Sequence, residues 1–536
     1  MQLIEGGHTL QKNIKATLII FAIGVFMAAL DNGIITSSLT TLISSFQVSP
    51  TWGAWTITIY TLGLAISVPI AGKLSDRYGR RLLFIIEVTL FGLGSLLVAL
   101  SPTFTFFIIS RFVQALGGGG IFIIASSYVL AAFPKERHGG TLGMLGGMNG
   151  IASILGPNIG SFILGITGNW HWLFLINVPI AVLLVILGLK FIKEEQSFSN
   201  SKMDWKGISV LVLAVLSLMY SFTNLDGINI MDSILSPSFY AFFLAAIVLL
   251  VLFYFMEKGL EGSDTDPVVP VQLLHQSTFR WTLLIAFFSG AILASVIFIP
   301  GYVEQYLNVS SSIAGDWFTP LALASGIGAV GGGVFVDKKG PVWTLKFASL
   351  LCVVGFLLFP IWVESIWQMV IASMLVGLGF GSMLGAPINV LITEQATDKD
   401  KGISVATSSL FRQMAMAIAP TIFAGFLARS FMNIGNKISE GFTESGITLP
   451  PGAMDLYASA DMSTGNMDVQ SMVAAFNQIP DEGIRQVLMN ALHETVGQGY
   501  NGLFWSAIIF SILTWGAVII LGVYRKKELS IRPTEQ

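Results

Sequence analysis

Long apolar runs, broken at short intervals by polar, glycine-rich or basic turns, occupy the chain almost from end to end. A helix rising 1.5 Å per residue needs about 20 mostly apolar residues to cross the hydrocarbon core of a bilayer. Fourteen stretches meet that length, starting near Ile14, Trp52, Leu82, Phe104, Gly139, Trp172, Trp205, Pro237, Thr278, Ser312, Val342, Ile366, Gly402 and Tyr500. The pattern predicts an all-α polytopic membrane protein. An even number of crossings puts both termini on one side.

Lysine and arginine predict which side that is. Of 28 such residues, Arg111 and Arg412 lie inside spans, and Arg429, Lys437 and Arg485 lie in one long connection before the last span. The remaining 23 fall at the termini or at even-numbered connections, as in Lys73, Arg77, Arg80 and Arg81 or in Lys338 and Lys339. That asymmetry predicts a multi-pass protein of the cell (cytoplasmic) membrane with both termini in the cytoplasm. The long connection, about Arg429 to Gly499, then faces outward. It carries eight acids, and Met472–Leu492 reads as short amphipathic helices broken at Pro480.

Composition agrees. The 536 residues are 54% hydrophobic and 11% charged, against about 25% charged in soluble domains. A net charge of −3 offers no basic surface for nucleic acid, and a single cysteine, Cys352, excludes an intramolecular disulfide. The first apolar run lacks a small-residue cleavage site and reads as a retained span rather than a signal peptide.

The chain also repeats. Gly72, Asp76 and Gly79 follow span 2, and Gly333, Asp337 and Gly340 follow span 10, with the same spacing and an offset of 261 residues. Pro157 in span 5 and Pro420 in span 13 are 263 apart. Repeated halves are common in transporters. The organisation expected is an N-terminal six-helix half (1–200), an inserted helix pair (201–258) and a C-terminal six-helix half (259–536) that includes the outer loop 429–499.

Several strings carry a family resemblance. The turn GKLSDRYGRR, with Gly72, Asp76, Arg77, Gly79 and Arg80, resembles the signature loop of the major facilitator superfamily. Arg111 and Gln114 resemble its proton-exporter motif R-x-x-Q-G, with Ala115 in place of the glycine. Gly156-Pro157-x-x-Gly160 resembles the antiporter motif, with Ser161 at its final glycine. WHWLFLINVPI, the Asp204-Trp205-Lys206-Gly207 string and Arg412-Gln413 resemble elements of the 14-span drug:proton antiporters of the QacA and EmrB type. The resemblance implies two pseudo-symmetric six-helix bundles plus two inserted helices. It also implies a cytoplasmic gate at the Gly72–Arg80 turn and a cavity lined by spans 1 and 4.

A charge inside a span is costly and marks function. Asp31 is the first candidate for coupling proton to substrate, with Arg111 its expected neighbour. Glu304 in span 9 is a second candidate, standing where the resembled family commonly has an amide. Asp316 and Glu87 are secondary acidic candidates; for Glu87 a partnership with a cytoplasmic-side arginine is the simpler reading and a second proton site the alternative. No zinc-ligand spacing or Ser/His/Asp set points to an enzyme. The expected protein is a proton-coupled multidrug efflux antiporter, driven by the proton gradient without a cofactor. It would export lipophilic, cationic compounds as a monomer among membrane lipids. The alternative is a proton-coupled exporter of an endogenous lipid or metabolite.

Overall fold

The computed structural model describes residues 2–53, 55–193, 202–260, 262–309, 315–394, 396–447 and 469–531. Thirteen helices in it are long and apolar enough to cross a membrane, and a bent pair makes a fourteenth. In chain order they are Lys15–Ile35, Trp55–Tyr78, Arg80–Ala99, Phe104–Ala132, the pair Lys135–Ser153 and Leu155–Thr167, His171–Phe191, Trp205–Thr223, Pro237–Gly259, Ser277–Gln305, Asp316–Lys339, Pro341–Trp362, Ile366–Thr393, Lys401–Met432 and Glu482–Glu528. We number them spans 1 to 14. Spans 1 and 14 begin and end the bundle at one end, where Arg77, Arg80, Arg81, Lys338 and Lys339 also lie. We call this the basic end and the other the loop end.

Among the described residues four spans are interrupted, each at or next to a proline or a glycine pair. Span 5 bends by 42° about Ser153–Leu155. Pro157 lies four residues on from Ser153, where its ring clashes with that carbonyl and leaves it without an amide donor. Span 4 is two helices, Phe104–Gly118 and Ile121–Ala132, separated at Gly119 and Gly120. Span 9 breaks before Pro300, and span 12 breaks between Gly385 and Pro387.

The inserted pair, spans 7 and 8, is bracketed by a two-stranded parallel pairing of Lys202–Met203 with Thr265–Asp266. Asp204 caps span 7 by accepting the Gly207 N–H at 2.9 Å, as an N-terminal aspartate does. Lys73, buried in the second half of span 2, reaches Asp266 at 3.0 Å and ties this bracket to the N-terminal bundle.

The described parts of the long connection are mostly helical. Ile434–Ser445 buries Ile434, Ile438 and Phe442 at helical spacing, and Val469–Asn477 buries Val469 and Phe476. Both join the C-terminal core with Leu488, Leu492 and Val496. Pro480 does break the chain as expected, but the segment after it is not a separate short helix. Glu482–Ile531 is one helix of 50 residues, so the last helix begins well before Tyr500. Val487, Leu488, Ala491 and Leu492 recur at 3–4-residue spacing and give that extension an apolar stripe to bury.

Candidate functional site

Arg111 and Gln114 stand three residues apart on span 4, on one face of the helix, and both are fully buried. Arg111 Nη1 donates to Asp31 Oδ2 and to Gln114 Oε1, each at 2.6 Å. Gln114 Nε2 donates to Asp31 Oδ1 at 2.9 Å and to Ser95 Oγ at 2.7 Å. Asn177 Nδ2 adds a third donor to Asp31, at 3.0 Å. The guanidinium lies with its carbon 4.0 Å from the centre of the Tyr60 ring and 5.4 Å from that of Phe174. Spans 1, 2, 3, 4 and 6 thus each contribute a side chain, and Asp31, Ser95, Arg111, Gln114 and Asn177 are all 0% exposed. Arg111 Nε and Nη2 have no acceptor among the described residues. The guanidinium is held through Nη1, by the Asp31 carboxylate and the Gln114 amide oxygen.

Two residues beyond Asp31, Gly33 presses on span 5. A β-carbon there would lie 2.5 Å from the Ser153 carbonyl, and one on Gly156 would lie 2.4 Å from Gly33 Cα. The close approach expected of Gly156 is therefore made to the helix that carries Asp31. Pro157 supplies the bend beside it, and Gly160 is buried one turn further on.

The basic end holds a second polar constellation. Asp76 accepts the backbone N–H of Gly402 and of Ile403, both at 3.1 Å, at the start of span 13. Asp337 does the same at the start of span 5, accepting from Gly139 at 2.7 Å and Gly140 at 2.8 Å. The first N–H groups of a helix are unpaired within it and bear its positive dipole end, so a carboxylate is the matching ligand. Each bond crosses from one bundle to the other, and the two are related by the repeat. Gly72 lets span 13 approach, since a β-carbon on it would meet Ala406 at 2.7 Å. Gly79 (φ 94°) and Gly340 (φ 86°) turn the chain in the left-handed region that favours glycine. Arg80 lies 3.9 Å from Asp76 and donates to Ser127 at 3.2 Å, while Arg77 is half-buried beside Tyr78.

The remaining candidates are dispersed. Glu304 is half-buried at the loop end of span 9, in the C-terminal bundle, within electrostatic reach of Tyr500. Asp316 is exposed at the start of span 10. Arg412 donates to Ser409 at 3.1 Å, and Gln413 Oε1 is buried without a donor among the described residues. Glu87 departs from expectation: its partner is not an arginine but the Gly120 N–H, at 3.1 Å, freed by the break in span 4. Sequence reasoning missed the roles of Asn177, Ser95 and Asp337. For Asp337 a signal existed in its 261-residue register with Asp76.

The profile of the Major Facilitator Superfamily matches residues 21–420. The chain belongs to the Major Facilitator Superfamily. An uncharacterized MFS-type transporter of Bacillus subtilis (strain 168), YfiU, is 50% identical over 97% of this chain and 99% of its own. Multidrug resistance protein 3 of the same organism is 26% identical over 96% of this chain and 97% of its own. Among solved structures, the human organic anion transporter MFSD10 superposes with a TM-score of 0.57 over 77% of this chain and 93% of its own, at 16% identity. The proton:xylose symporter XylE does so with 0.56 over 79% and 90%, at 15% identity. At those identities the likeness carries the fold. As a facilitator-family transporter, the protein has Asp76 and Asp337 positioned where its two bundles meet.

Proposed function

We propose that this transporter is a proton-coupled exporter of lipophilic, cationic compounds that works by alternating access. The buried Asp31–Arg111 pair carries the reading. With Asp31 ionised, the pair is neutral and closed on itself. A proton on Asp31 removes the attraction and leaves Arg111 as a buried cation without a counter-charge. A cationic substrate in the neighbouring cavity then meets a net positive field. Proton and substrate exclude each other without touching, which is all that coupling requires. One unit charge at about 10 Å, with an effective dielectric of about 20, is worth roughly 1.7 kcal/mol, or about fifteenfold in affinity.

Span 5 is the element that transmits the change. Its bend rests on Gly33, two residues from Asp31, and its far end holds the Gly139–Gly140 latch on Asp337. In this reading the basic end faces the cytoplasm, the paired latches close it, and the substrate path opens outward. Relatives described as Multidrug resistance protein 3 and Multidrug transporter protein MdtP favour export of drugs as the direction and cargo.

The test is a panel of cationic dyes and drugs in inverted membrane vesicles, with and without an imposed proton gradient. Gradient-driven uptake by the wild type and its loss in Asp31→Asn are expected. Driven uptake that survives Asp31→Asn refutes the assignment of Asp31. A panel in which no dye moves favours a dedicated lipid or metabolite exporter instead.

A further inference from the structure

The face of span 3 that meets span 4 carries three polar groups at three depths: Arg80, Glu87 and Ser95. Intervals of seven and eight residues return them to one side of the helix, about 10–12 Å apart along its axis. Each has a partner on span 4. Arg80 Nε donates to Ser127 Oγ at 3.2 Å, Gly120 N donates to Glu87 Oε2 at 3.1 Å, and Gln114 Nε2 donates to Ser95 Oγ at 2.7 Å. The rung nearest the loop end joins Asp31 through Gln114. The rung at the basic end reaches Asp76 through Arg80. Glu87 is the middle rung, and neither the proton site nor the latch uses it.

Its surroundings are built around the carboxyl. Glu87 is 7% exposed and makes no ion pair among the described residues. A β-carbon on Gly120 would lie 2.7 Å from Glu87 Cδ and 2.4 Å from Ala71 Cβ, so the interrupted stretch of span 4 exists in the form that admits this side chain. The Tyr60 hydroxyl comes to the same break, 3.1 Å from where a β-carbon on Gly118 would stand, and has no hydrogen-bond partner among the described residues. The ring of the same tyrosine lies against the Arg111 guanidinium, whose carbon is 4.0 Å from the ring centre. Ser67 Oγ is there too, donating to the Leu116 carbonyl at 2.6 Å. The other ionisable groups on the elements around Glu87 are Lys73, Asp76, Arg77 and Tyr78 on span 2, Arg80 and Arg81 on span 3, Arg111 and Tyr128 on span 4, and Lys190 on span 6. Capping one backbone N–H does not need a carboxyl. Any neutral acceptor serves, and an ionised carboxylate here finds no counter-charge in contact.

We propose that Glu87 is the intermediate proton acceptor between Asp31 and the basic end. Asp31 loses its proton and regains its ion pair with Arg111. The Tyr60 hydroxyl, acceptor and donor at once, passes a proton on through the break in span 4. Glu87 goes from carboxylate to carboxylic acid, and returns to carboxylate by releasing the proton toward the Asp76–Arg80 gate. The proposal rests on the reading of Asp31 as the coupling group.

Glu87→Gln tests it, because the amide oxygen still accepts the Gly120 N–H while the side chain can no longer carry a proton. Ethidium uptake into inverted vesicles under a proton gradient is compared with ethidium counterflow in the absence of a gradient. At least a tenfold loss of driven uptake with counterflow retained is expected, and partial recovery of driven uptake in Glu87→Asp. Driven uptake at the wild-type rate in Glu87→Gln overturns the relay and leaves Asp31 untouched. Loss of driven uptake and counterflow together also overturns it, and makes Glu87 an architectural cap. A wild type that moves no ethidium under a gradient overturns the exporter reading and the relay with it.

Discussion

The two latches at the basic end invite a quantitative test. Asp76 and Asp337 each accept two backbone N–H bonds from the first turn of a helix in the opposite bundle. Hydrogen bonds to a charged group contribute about 1.5–3 kcal/mol each relative to water. One latch is therefore worth about 3 kcal/mol at the low end, and its removal changes the ratio of closed to open conformers by about two orders of magnitude. Asp76→Asn is the suitable perturbation. It keeps the volume, removes the charge, and presents an NH₂ donor to one of the two N–H groups. The assay is a spin-label distance between Glu136 and Lys399, exposed at the basic end of opposite bundles, each replaced by cysteine in a Cys352→Ala background. Only one native cysteine has to be removed. Wild type is expected to give a short distance. Asp76→Asn and Asp337→Asn are each expected to add a longer population of similar size, because the repeat makes the two latches equivalent. The double variant should approach the sum, since the latches share no partner. An unchanged distance distribution in the double variant would refute the claim that these carboxylates hold the basic end shut.

Asp31→Asn leaves Arg111 buried with its main partner discharged. Breaking a buried pair on one side costs about 3–5 kcal/mol, so a clear fall in melting temperature in detergent is expected, with partial recovery in Asp31→Asn/Arg111→Gln. Equilibrium binding of a cationic dye to Asp31→Asn should weaken about fifteenfold and lose its pH dependence, by the same Coulomb arithmetic used above. Gly33→Ala should destabilise by about 1–3 kcal/mol through overpacking against span 5, measurable as thermal stability, and should slow transport more than it weakens dye binding. Phe442→Ala removes a buried aromatic from the Ile434–Ser445 helix and should cost about 3–5 kcal/mol of local stability. Hydrogen exchange should then rise in 434–445 and in the facing part of the last helix, and not at the basic end.

The apolar pattern placed most helices well because burial in lipid and burial in the bundle select the same residue types. The starts at Phe104, Trp205, Pro237 and Ile366 coincide with observed helix starts. The pattern failed at Tyr500, where the helix already runs from Glu482. That extension is half polar, so a length-and-hydropathy criterion does not register it, although its apolar stripe is visible at helical spacing. The Asp31–Arg111 pair was legible because two opposite charges in uncharged spans have few alternatives to each other. Asn177 and Ser95 were not, since an amide or hydroxyl in a span has many partners and only depth decides among them. Glu87 was misread for an instructive reason. Gly119 and Gly120 interrupt span 4 and release a backbone donor. That donor competes with arginine for the carboxylate and has the advantage of being fixed in place.

The repeat says more than the individual motifs do. Asp76 alone joins span 2 to the start of span 13. Asp337 places the same contact between span 10 and span 5, across the pseudo-two-fold axis. A rocking motion about that axis must break both contacts together, because each bundle contributes one carboxylate and one helix start. The two helices whose starts are gripped, spans 5 and 13, each carry an internal proline at the repeat-related positions, Pro157 and Pro420. Span 5 bends where it meets Gly33, next to the Asp31 charge. Whatever changes the fit of span 1 against that bend acts on a helix whose other end is bound to Asp337. In the proposed reading span 5 thus joins the Asp31 pair at one end to Asp337 at the other, and a substitution at Gly33, which touches neither carboxylate, should disturb both.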